Sequence, residues 1–235
     1  MATGTVTMDD LLAAILPHVA FDGWTEGAFR AALADRGADP AEARALCPRG
    51  AVDLAVHMHK RGDAAMLAAM AGADSPDMRI RDRIAQAIRL RIAAIDDKEA
   101  VRRATTLFAL PHMAPEGARL IWGTADAIWS AIGDSSEDVN WYTKRATLSA
   151  VHGSVVLYWL GDDSPGHEAT NAFIDRRIDD VMQVEKVKAA VNGNPLLKPF
   201  TVPLNTVLGM IRAPRAGRAD DLPGRWTEPG GDHPV

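Results

Sequence analysis

The feature that most constrains the fold is a run of sixteen residues, 146–161, without one formally charged side chain. The run reads ATLSAVHGSVVLYWLG and follows the segment DVNWYTKR at residues 138–145. Because a surface helix carries a polar stripe along one face, a helix this long without charge is predicted to be buried on most faces. Asn140, Trp141 and Tyr142 then lie where a central helix leaves the body of the protein.

Composition argues against several classes of protein. Cys47 is the only cysteine, so neither an intramolecular disulfide nor a Cys/His zinc cluster is expected. The N-terminal segment MATGTVTMDD carries acids early and lacks the basic and apolar regions of a secretion signal. No stretch reaches the roughly 18 to 20 apolar residues that cross a bilayer. We therefore expect a protein of a bacterial-type cytoplasm, with peripheral contact to the inner membrane.

The pattern of apolar residues predicts an all-α protein of about nine helices. Alanine is abundant, β-branched alternation is nearly absent, and Gly, Pro or Asp interrupts the chain every fifteen to twenty residues. Thr7 and Thr25 are predicted N-caps, Gly37 ends the second helix, and Asp39 with Pro40 opens the third. The helices are predicted at about 8–20, 25–35, 40–47, 50–70, 78–95, 98–108, 116–132, 141–160 and 167–187.

Three segments of the chain are distinguished by their composition. Residues 1–70 have the outline of a helix-turn-helix unit, because three short helices precede a longer one. Residues 71–190 are predicted to form a second helical domain. Residues 191–235 hold seven of the fourteen prolines and form a tail.

The tail contains one short stretch with helical periodicity. Its apolar members, spaced at i, i+3, i+4 and i+7, are Leu204, Val207, Leu208 and Ile211. Arg212 follows at once, so the stretch is a candidate interfacial helix whose arginines contact anionic phosphates at a membrane. The alternative is that this segment packs back on the body or forms no helix, because it is short and Gly209 weakens it.

Four segments carry a resemblance to a known family. They are GWT at residues 23–25, CPRGA at 47–51, DVNWYTKR at 138–145 and DSP at 163–165, and the third is the most specific. The chain resembles, over about residues 8–187, the accessory lipid-binding family of ubiquinone biosynthesis, called coenzyme Q biosynthesis protein nine in eukaryotes. The DLPGRW near the C-terminus is also similar to bacterial members, whereas the rest of the tail matches less clearly.

The resemblance implies both a fold and a function. The family is similar in fold to TetR-type transcription regulators, and its members are not known as enzymes. They bind lipids and present a quinone precursor to the di-iron hydroxylase that hydroxylates demethoxyubiquinone. The resemblance therefore implies that this chain needs no cofactor and binds a phospholipid or an isoprenoid quinone.

The resemblance also implies a surface for the hydroxylase. Its residues would be Asn140, Trp141, Tyr142, Arg145 and Trp129. Lys144 stands where eukaryotic members are expected to have arginine, which keeps the charge but weakens a bidentate contact. From the residues alone, the two rings at 141 and 142 have a second interpretation, because aromatic side chains at a helix start often pack the entering loop against the core. Likewise, Asn140 or Arg145 would simply cap the helix or pair with Asp138.

A lipid pocket is expected within the second domain, by analogy with the ligand sites of TetR-like folds. The candidate lining residues are Phe108, Trp122, Leu157, Tyr158, Trp159 and Phe173. Plain core packing is the alternative role for each of these side chains. TetR-like proteins commonly pair through their last two helices, here about 141–160 and 167–187, so a homodimer is also expected.

DNA binding is the main competing interpretation, because a TetR-like unit places its third helix in the major groove. The formal charge from residue 22 to residue 44 is −2, and the whole chain carries −5. Phosphate contacts supply most nonspecific affinity for DNA, so an acidic unit is poorly suited to it. The next helix offers partial compensation through Arg49, His57, His59, Lys60 and Arg61. We therefore expect no nucleic acid partner and retain a DNA-binding regulator with a hydrophobic ligand as the alternative.

No catalytic residue and no metal ligand is predicted. Cys47 lacks a His or Asp partner at a diagnostic spacing, and His57 and His59 point to different faces of a helix. The chain has no Gly-rich phosphate loop after a strand and no Glu-x-x-His pattern that would hold a di-iron centre. The sequence thus favours a protein that binds a lipid and leaves the chemistry to a partner.

Overall fold

The computed structural model of the protein describes residues 6–73, 78–193 and 212–213. These residues form nine α-helices and no strand, which confirms the all-α prediction. The helices are α1 (Met8–Asp22), α2 (Glu26–Arg36), α3 (Pro40–Leu46), α4 (Ala51–Ala73), α5 (Ile80–Ala93), α6 (Lys98–Phe108), α7 (Ala114–Ala131), α8 (Val139–Leu160) and α9 (Glu168–Gly193). A short 3₁₀ turn, Pro165–His167, separates α8 from α9.

The predicted caps determine where the first helices begin and end. Thr7 accepts a hydrogen bond from the backbone N–H of Asp10, and the Asp10 side chain accepts one in return from the backbone N–H of Thr7, which forms a capping box. Thr25 caps α2 in the same way. Gly37 ends α2 at φ 64°, a left-handed conformation that glycine adopts without strain. Short polar side chains and one glycine therefore place the turns of the N-terminal unit.

The N-terminal core is built from α1 to α4 and is completed by α6. Leu11 and Ile15 of α1, Phe29 of α2 and Leu54 of α4 are all buried in it. The indole Nε1 of Trp24 donates a hydrogen bond to the carbonyl of Ala100 in α6, at 3.0 Å. Since Ala100 and Ala104 also belong to this core, the N-terminal unit depends on a helix from the second half of the chain.

The second core lies between α4, α5, α7, α8 and α9. Its members include Met66, Ile88, Ile128, Val155 and Ile174, which come from the five helices in turn. Helix α8 packs between α7 and α9. The two cores meet along α4, whose N-terminal part contributes to the first and whose Met66 contributes to the second.

Helix α8 is exposed along one face only. Leu148, Val151 and Val155 lie in the core, as expected. The opposite side exposes Ala146 and Ala150, and Leu157 and Tyr158 are exposed near its C-terminus. The other positions from 146 to 160 are buried or half-buried, so the prediction that this helix is buried on most faces is confirmed. Within the described residues, no helix is both long and apolar enough to cross a membrane.

Candidate functional site

A cavity of about 440 Å³ lies between the two cores. Helices α1 and α4 to α8 enclose it, together with the residues that join α5 to α6. Most of its wall is apolar, and the larger apolar side chains include Leu12, Leu16, Met58, Ile95, Phe108, Ile121 and Val156. A largely apolar cavity of this size with a few polar groups is typical of a small-molecule site.

The exposed residues of the cavity wall include the charged Arg61 and Asp96 and a separate apolar group, which we call the mouth. Leu157 of α8 lines the cavity and is 61% exposed. Ala109 follows α6 and Ala118 belongs to α7, and both line the cavity while remaining exposed. These three residues carry no charge, so an apolar molecule meets no polar barrier between them.

A polar cluster adjoins the cavity, and we define it as His59, Asp63, Arg91, Thr124 and His152. Of these residues, His59, Arg91 and His152 line the wall. Nε of Arg91 donates to Oδ1 of Asp63 at 2.6 Å. The Thr124 hydroxyl donates to the same oxygen at 2.9 Å. Nε2 of His59 lies 2.9 Å from the Thr124 oxygen. Within the polar cluster, the Asp63 carboxylate is therefore balanced by one guanidinium and one hydroxyl.

A glycine in α4 makes room for the arginine of this cluster. A Cβ atom at Gly62 would lie 2.6 Å from a guanidinium nitrogen of Arg91. The same guanidinium donates from its second terminal nitrogen to the carbonyl of His59, at 3.1 Å. Arg91 thus lies directly against the backbone of α4, which only a residue without a side chain permits.

His152 differs from the other members of the polar cluster. It is 2% exposed and lines the cavity, and its Nδ1 has no hydrogen-bond partner among the described residues. Burial, with a smaller contribution from the nearby Arg91 and His59, lowers the pKa of His152 to about 3. Burial also lowers the pKa of His59. Both imidazoles are therefore neutral near neutral pH.

Two of the six predicted lipid-pocket residues line the cavity, namely Phe108 and Leu157. The other four lie elsewhere. Trp122 packs against Trp141, with ring centroids 5.9 Å apart, and Tyr158 stacks on Phe173 at 4.3 Å. Trp159 is buried beneath the ammonium group of Lys98.

The difference between these residues follows from helix geometry. Successive residues of a helix point about 100° apart. Leu157 faces the cavity together with Gly153 and Val156, so its neighbour Tyr158 points away from it. Trp159 lies on the same side of α8 as His152, but two turns further along and next to Lys98. His59, Arg91 and His152 also line the cavity, and they were not predicted because only large apolar side chains were considered.

An aromatic cluster, which we define as Trp122, Trp129, Trp141 and Tyr142, covers the junction of α7 and α8. Trp141 lies between Trp122 and Tyr142, whose ring centroid is 4.8 Å away. Nε1 of Trp129 donates to the carbonyl of Lys144 at 3.1 Å. All four rings are half-buried, so each presents an edge or a face to solvent.

Arg145 lies beneath this cluster and not on its surface. It is 2% exposed, and its guanidinium stacks 4.0 Å from the centroid of the Trp141 ring. Its Nε donates to Asp126 at 2.6 Å, and a terminal nitrogen donates to Asp134 at 3.0 Å. The side chain of Arg145 is thus paired with Asp126 and Asp134 and not with Asp138, and its part in partner binding, which the resemblance implies, stays a prediction.

The remaining polar groups of this region are also paired. Asp138 caps α8 and accepts hydrogen bonds from the backbone N–H and the side-chain amide of Asn140. Lys144 donates to Asp134 at 2.7 Å and to Ser136 at 2.6 Å. Burial alone would raise the pKa of Asp134, but hydrogen bonds from Lys144, Ser136 and Arg145 outweigh it and lower that pKa to about 2.

The C-terminal segment reaches the same region. The Tyr142 hydroxyl donates to the carbonyl of Arg212 at 3.2 Å, and the backbone N–H of Ala213 donates to the carbonyl of Glu137 at 2.9 Å. Arg212 was predicted to contact a membrane, and it is exposed beside the aromatic cluster. The other predicted membrane-contact residues, Leu204, Val207, Leu208 and Ile211, lie outside the described residues.

The helix-turn-helix surface offers little to a phosphate backbone. Helix α3 exposes Glu42, Ala45 and Leu46. Arg36 pairs with Asp10, Arg44 pairs with Glu26, and Arg49 pairs with both Asp53 and Glu116. These arginines are held by carboxylates, so the surface that would face DNA carries few unpaired positive charges. Among the residues that the structure describes, no three His, Cys, Asp or Glu side chains are grouped to hold a metal ion.

The order of the helices defines the class of protein, a TetR-like all-α bundle. The structure is similar to that of the TetR transcriptional regulator from Nitrosomonas europaea, with a TM-score of 0.59 and 17% sequence identity over 73% of this chain and 95% of that one. Residues 114–185 match the model of the COQ9 family. The resemblance to the COQ9 family, inferred from the sequence motifs, is thereby confirmed.

Several curated proteins extend this match beyond the COQ9 domain. The chain is 28% identical over 206 residues to the probable ubiquinone biosynthesis protein coq9, mitochondrial, of Dictyostelium discoideum, which covers 84% of this chain and 65% of that protein. It is 35% identical over 108 residues to the human ubiquinone biosynthesis protein COQ9, mitochondrial, covering 46% and 33% of the two chains. The corresponding Drosophila melanogaster protein is 29% identical over 78% of this chain and 57% of its own length. The chain therefore spans between one third and two thirds of the length of these relatives.

The matched region contains one candidate surface and part of the other. Residues 114–185 include α7, α8 and most of α9. They hold all four rings of the aromatic cluster. They also hold the lining residues that come from α7 and α8, such as Ile121 and Leu157, whereas the lining residues of α1, α4, α5 and α6 lie outside the match.

Proposed function

We propose that this protein is a lipid-binding accessory protein of ubiquinone biosynthesis that presents a prenylated quinone intermediate to the di-iron demethoxyubiquinone hydroxylase. The observation that carries the proposal is the largely apolar cavity, to whose wall the COQ9-matched helices α7 and α8 contribute a part. The proposed pathway, ubiquinone biosynthesis, comes from the names of the relatives. The protein is proposed to act as a carrier and not as an enzyme.

Such a carrier solves a problem of solubility. Each CH₂ group that leaves an apolar phase for water costs about 0.8 kcal/mol, so a polyprenyl chain stays in the bilayer. A cavity lined by Leu12, Met58 and Ile121 replaces contacts with lipid by contacts with protein. The transfer then requires no exposure of the tail to water.

The first experiment asks whether the cavity holds a lipid. The protein is purified without detergent, and its organic extract is analysed by mass spectrometry, beside the variants Gly153→Leu and Gly123→Leu. A Cβ at Gly153 meets only Ile121, at 3.9 Å, so a leucine there extends into the cavity. A Cβ at the exposed Gly123 of α7 meets nothing within 4 Å.

The two glycine variants are matched, because each adds the same side chain within a helix. We expect an isoprenoid quinone or a phospholipid in the wild type and in Gly123→Leu, and several-fold less of it in Gly153→Leu. A wild-type extract without lipid would contradict the carrier function. Equal lipid in all three proteins would place the bound molecule outside this cavity.

The hydroxylase is proposed to bind at the aromatic cluster. Half-buried Trp and Tyr side chains are enriched at the centres of protein interfaces. Asn140, which is exposed at its edge, extends this surface. We expect Asn140→Lys and Trp141→Leu to weaken binding of the hydroxylase in surface plasmon resonance, whereas Ala146→Lys, on another face of α8, leaves it unchanged. Unchanged binding by the first two variants would reject the assignment.

A homodimer through α8 and α9 is part of the proposal. Tyr158 and Met182 are exposed on these helices, although both are apolar over most of their surface. Paired across a two-fold axis, these side chains would be removed from water. Sedimentation velocity over a range of concentrations tests this proposal, with Met182→Glu expected to shift the equilibrium towards the monomer. A wild type that remains monomeric at every concentration would contradict it.

Peripheral membrane association is proposed for the tail. Leu204, Val207, Leu208 and Ile211 have the spacing of an interfacial helix, and Arg212 begins the basic stretch that follows them. We expect the full chain to float with vesicles that contain anionic phospholipid, and Leu208→Asp to lower the floated fraction. Equal flotation of both proteins would mean that this part of the tail does not contribute to membrane binding.

The fold alone favours one further function, that of a DNA-binding regulator with a hydrophobic ligand. The similar structure from Nitrosomonas europaea carries the name of a TetR transcriptional regulator. Retention on heparin that falls steeply with salt concentration would support this function. We expect weak retention, because the arginines of the helix-turn-helix surface are already paired with carboxylates.

A further inference from the structure

The inference concerns the contact between the C-terminal segment and the start of α8, and its consequence for partner binding rests on the proposed function. We infer that the peptide group joining Arg212 to Ala213 docks in a slot beside the aromatic cluster and competes with the partner that binds there. The C-terminal segment is then an internal inhibitor. A partner reaches the whole aromatic cluster only by displacing this docked peptide.

Both hydrogen bonds of the contact come from one peptide group. Its carbonyl, which belongs to Arg212, accepts from the Tyr142 hydroxyl at 3.2 Å. Its N–H, which belongs to Ala213, donates to the carbonyl of Glu137 at 2.9 Å. The peptide group is trans, so its C=O and N–H point in opposite directions. The C-terminal segment therefore lies in a slot between the Tyr142 hydroxyl and the Glu137 carbonyl.

The slot lies on the surface that is proposed to bind the hydroxylase. Its two sides, at residues 137 and 142, lie on either side of Asn140 and Trp141 in the sequence. Tyr142 is itself a ring of the aromatic cluster, and its centroid is 4.8 Å from that of Trp141. Ala213 is half-buried in its docked position. A partner that packs on the Tyr142 side of the cluster must therefore first remove the docked peptide.

The docked peptide is held weakly enough to be displaced. The separation of 3.2 Å between the Tyr142 and Arg212 oxygens exceeds the usual length of an O–H···O hydrogen bond. A single hydrogen bond of a protein changes an equilibrium constant by a factor of about two to ten. A protein interface of ordinary size makes about ten hydrogen bonds and also buries apolar surface. Two hydrogen bonds to one peptide group thus delay such a partner without excluding it.

The contact uses main-chain atoms of the C-terminal segment. The carbonyl of Arg212 and the N–H of Ala213 would be present with almost any residues at these positions. Proline is the exception, because it has no backbone N–H. A proline at position 213 therefore removes one of the two hydrogen bonds without altering the aromatic cluster.

The test uses the full chain and two measurements. Hydrogen exchange of the Ala213 amide, followed by NMR, reports docking in the absence of any partner. Surface plasmon resonance reports the binding of the hydroxylase. The variants are Ala213→Pro, which removes the donor, and Tyr142→Phe, which removes only the hydroxyl. Ala216→Pro is the matched control, because it adds the same ring three residues further along and keeps the N–H of Ala213.

We expect the Ala213 amide to exchange several-fold more slowly in the wild type and in Ala216→Pro than in Tyr142→Phe. Ala213→Pro should bind the hydroxylase about threefold more tightly than the wild type, because a surface that is covered part of the time binds with reduced affinity. The gain should lie in the association rate constant, since the docked peptide is absent from the complex. Ala216→Pro should bind like the wild type.

Two results would overturn the internal inhibitor and leave the proposed function intact. One is a wild-type Ala213 amide that exchanges at the rate of an unstructured peptide. The other is binding of the hydroxylase by Ala213→Pro that is equal to, or weaker than, that of the wild type. If the Ala213 amide is protected but neither protein binds the hydroxylase, the proposed partner is rejected and the inhibition with it.

Discussion

The two halves of α8 have opposite characters although they belong to one continuous helix. In residues 139–148, Lys144 and Arg145 are both paired with Asp134, and Trp141 is stacked on the Arg145 guanidinium. In residues 151–160, there is no charged side chain, Nδ1 of His152 has no partner in the described structure, and Leu157 is exposed at a cavity mouth. The first half has its polar groups satisfied, and the second half does not.

The difference concerns what each half contributes to stability. A buried polar network whose members all have partners holds one arrangement of the chain. A buried polar atom that lacks a partner, such as Nδ1 of His152, lowers stability. We therefore expect the first half of α8 to stabilise the fold more than the second half.

Among the substitutions in α8, removal of the Arg145 side chain should lower the free energy of unfolding the most. Loss of one partner of a buried ion pair typically costs about 3 to 5 kcal/mol. We expect Arg145→Met to lower the free energy of unfolding by about 3 kcal/mol, the low end of that range, because Lys144 still pairs with Asp134. Equilibrium unfolding in urea measures it. Arg177→Met, which removes an exposed pair with Asp180, should cost less than about 1 kcal/mol.

The next largest effect is a loss of stability at acidic pH. Because the pKa of Asp134 is lowered to about 2 in the folded protein, its contribution to stability is present above the unfolded pKa of about 4 and is lost as the pH falls towards 2. The wild type should lose about 2 kcal/mol more than Asp134→Asn between about pH 5 and pH 2. Urea unfolding of both proteins across this range gives the difference directly. Parallel curves would mean that Asp134 does not stabilise this half of α8.

A smaller effect of the opposite sign is expected in the second half of α8. His152→Phe removes a buried nitrogen that has no partner, and the adjoining cavity accommodates the larger ring. The free protein should therefore gain about 1 kcal/mol in the free energy of unfolding, since an unsatisfied buried polar atom costs about 1 to 3 kcal/mol. A loss of stability in urea unfolding would show that His152 supports the fold. In that case both halves of α8 would contribute polar groups that stabilise the protein.

The smallest effect is expected at Gly153. A Cβ at this position meets only Ile121, at 3.9 Å, and alanine is favoured over glycine within a helix by up to about 1 kcal/mol. We expect Gly153→Ala to raise the free energy of unfolding by about 0.5 kcal/mol. Thermal unfolding followed by circular dichroism detects this change as a higher melting temperature. A lower melting temperature would mean that the wall of the cavity is tightly packed at this position.

The sequence predicted the helices well because their signals are local. Thr7, Thr25 and Asp39 cap the helices that they were predicted to cap, and Gly37 ends α2. The predicted boundaries of α6 agree with the structure at both ends. Each of these signals lies within four residues of the turn that it determines, so it can be read without knowledge of the rest of the chain.

The candidate site was predicted less well because its contacts are distant in sequence. Asp63 meets Arg91 and Thr124, which lie 28 and 61 residues further along the chain. No spacing rule links such positions. The resemblance placed Arg145 on the partner surface, whereas its burial depends on Asp126 and Asp134, which belong to α7 and the loop after it. The resemblance also named Trp129, Trp141 and Tyr142 for that surface, but Trp122 was assigned to the lipid pocket because nothing local in the sequence links it to Trp141.

The close approach of Gly62 to Arg91 also has an evolutionary consequence. A larger residue at position 62 would require the Arg91 guanidinium to shift and would disturb its pairing with Asp63. Glycine at 62 and arginine at 91 should therefore be inherited together among homologues. The pair is a marker, readable from sequence alone, for the close packing of α5 against α4.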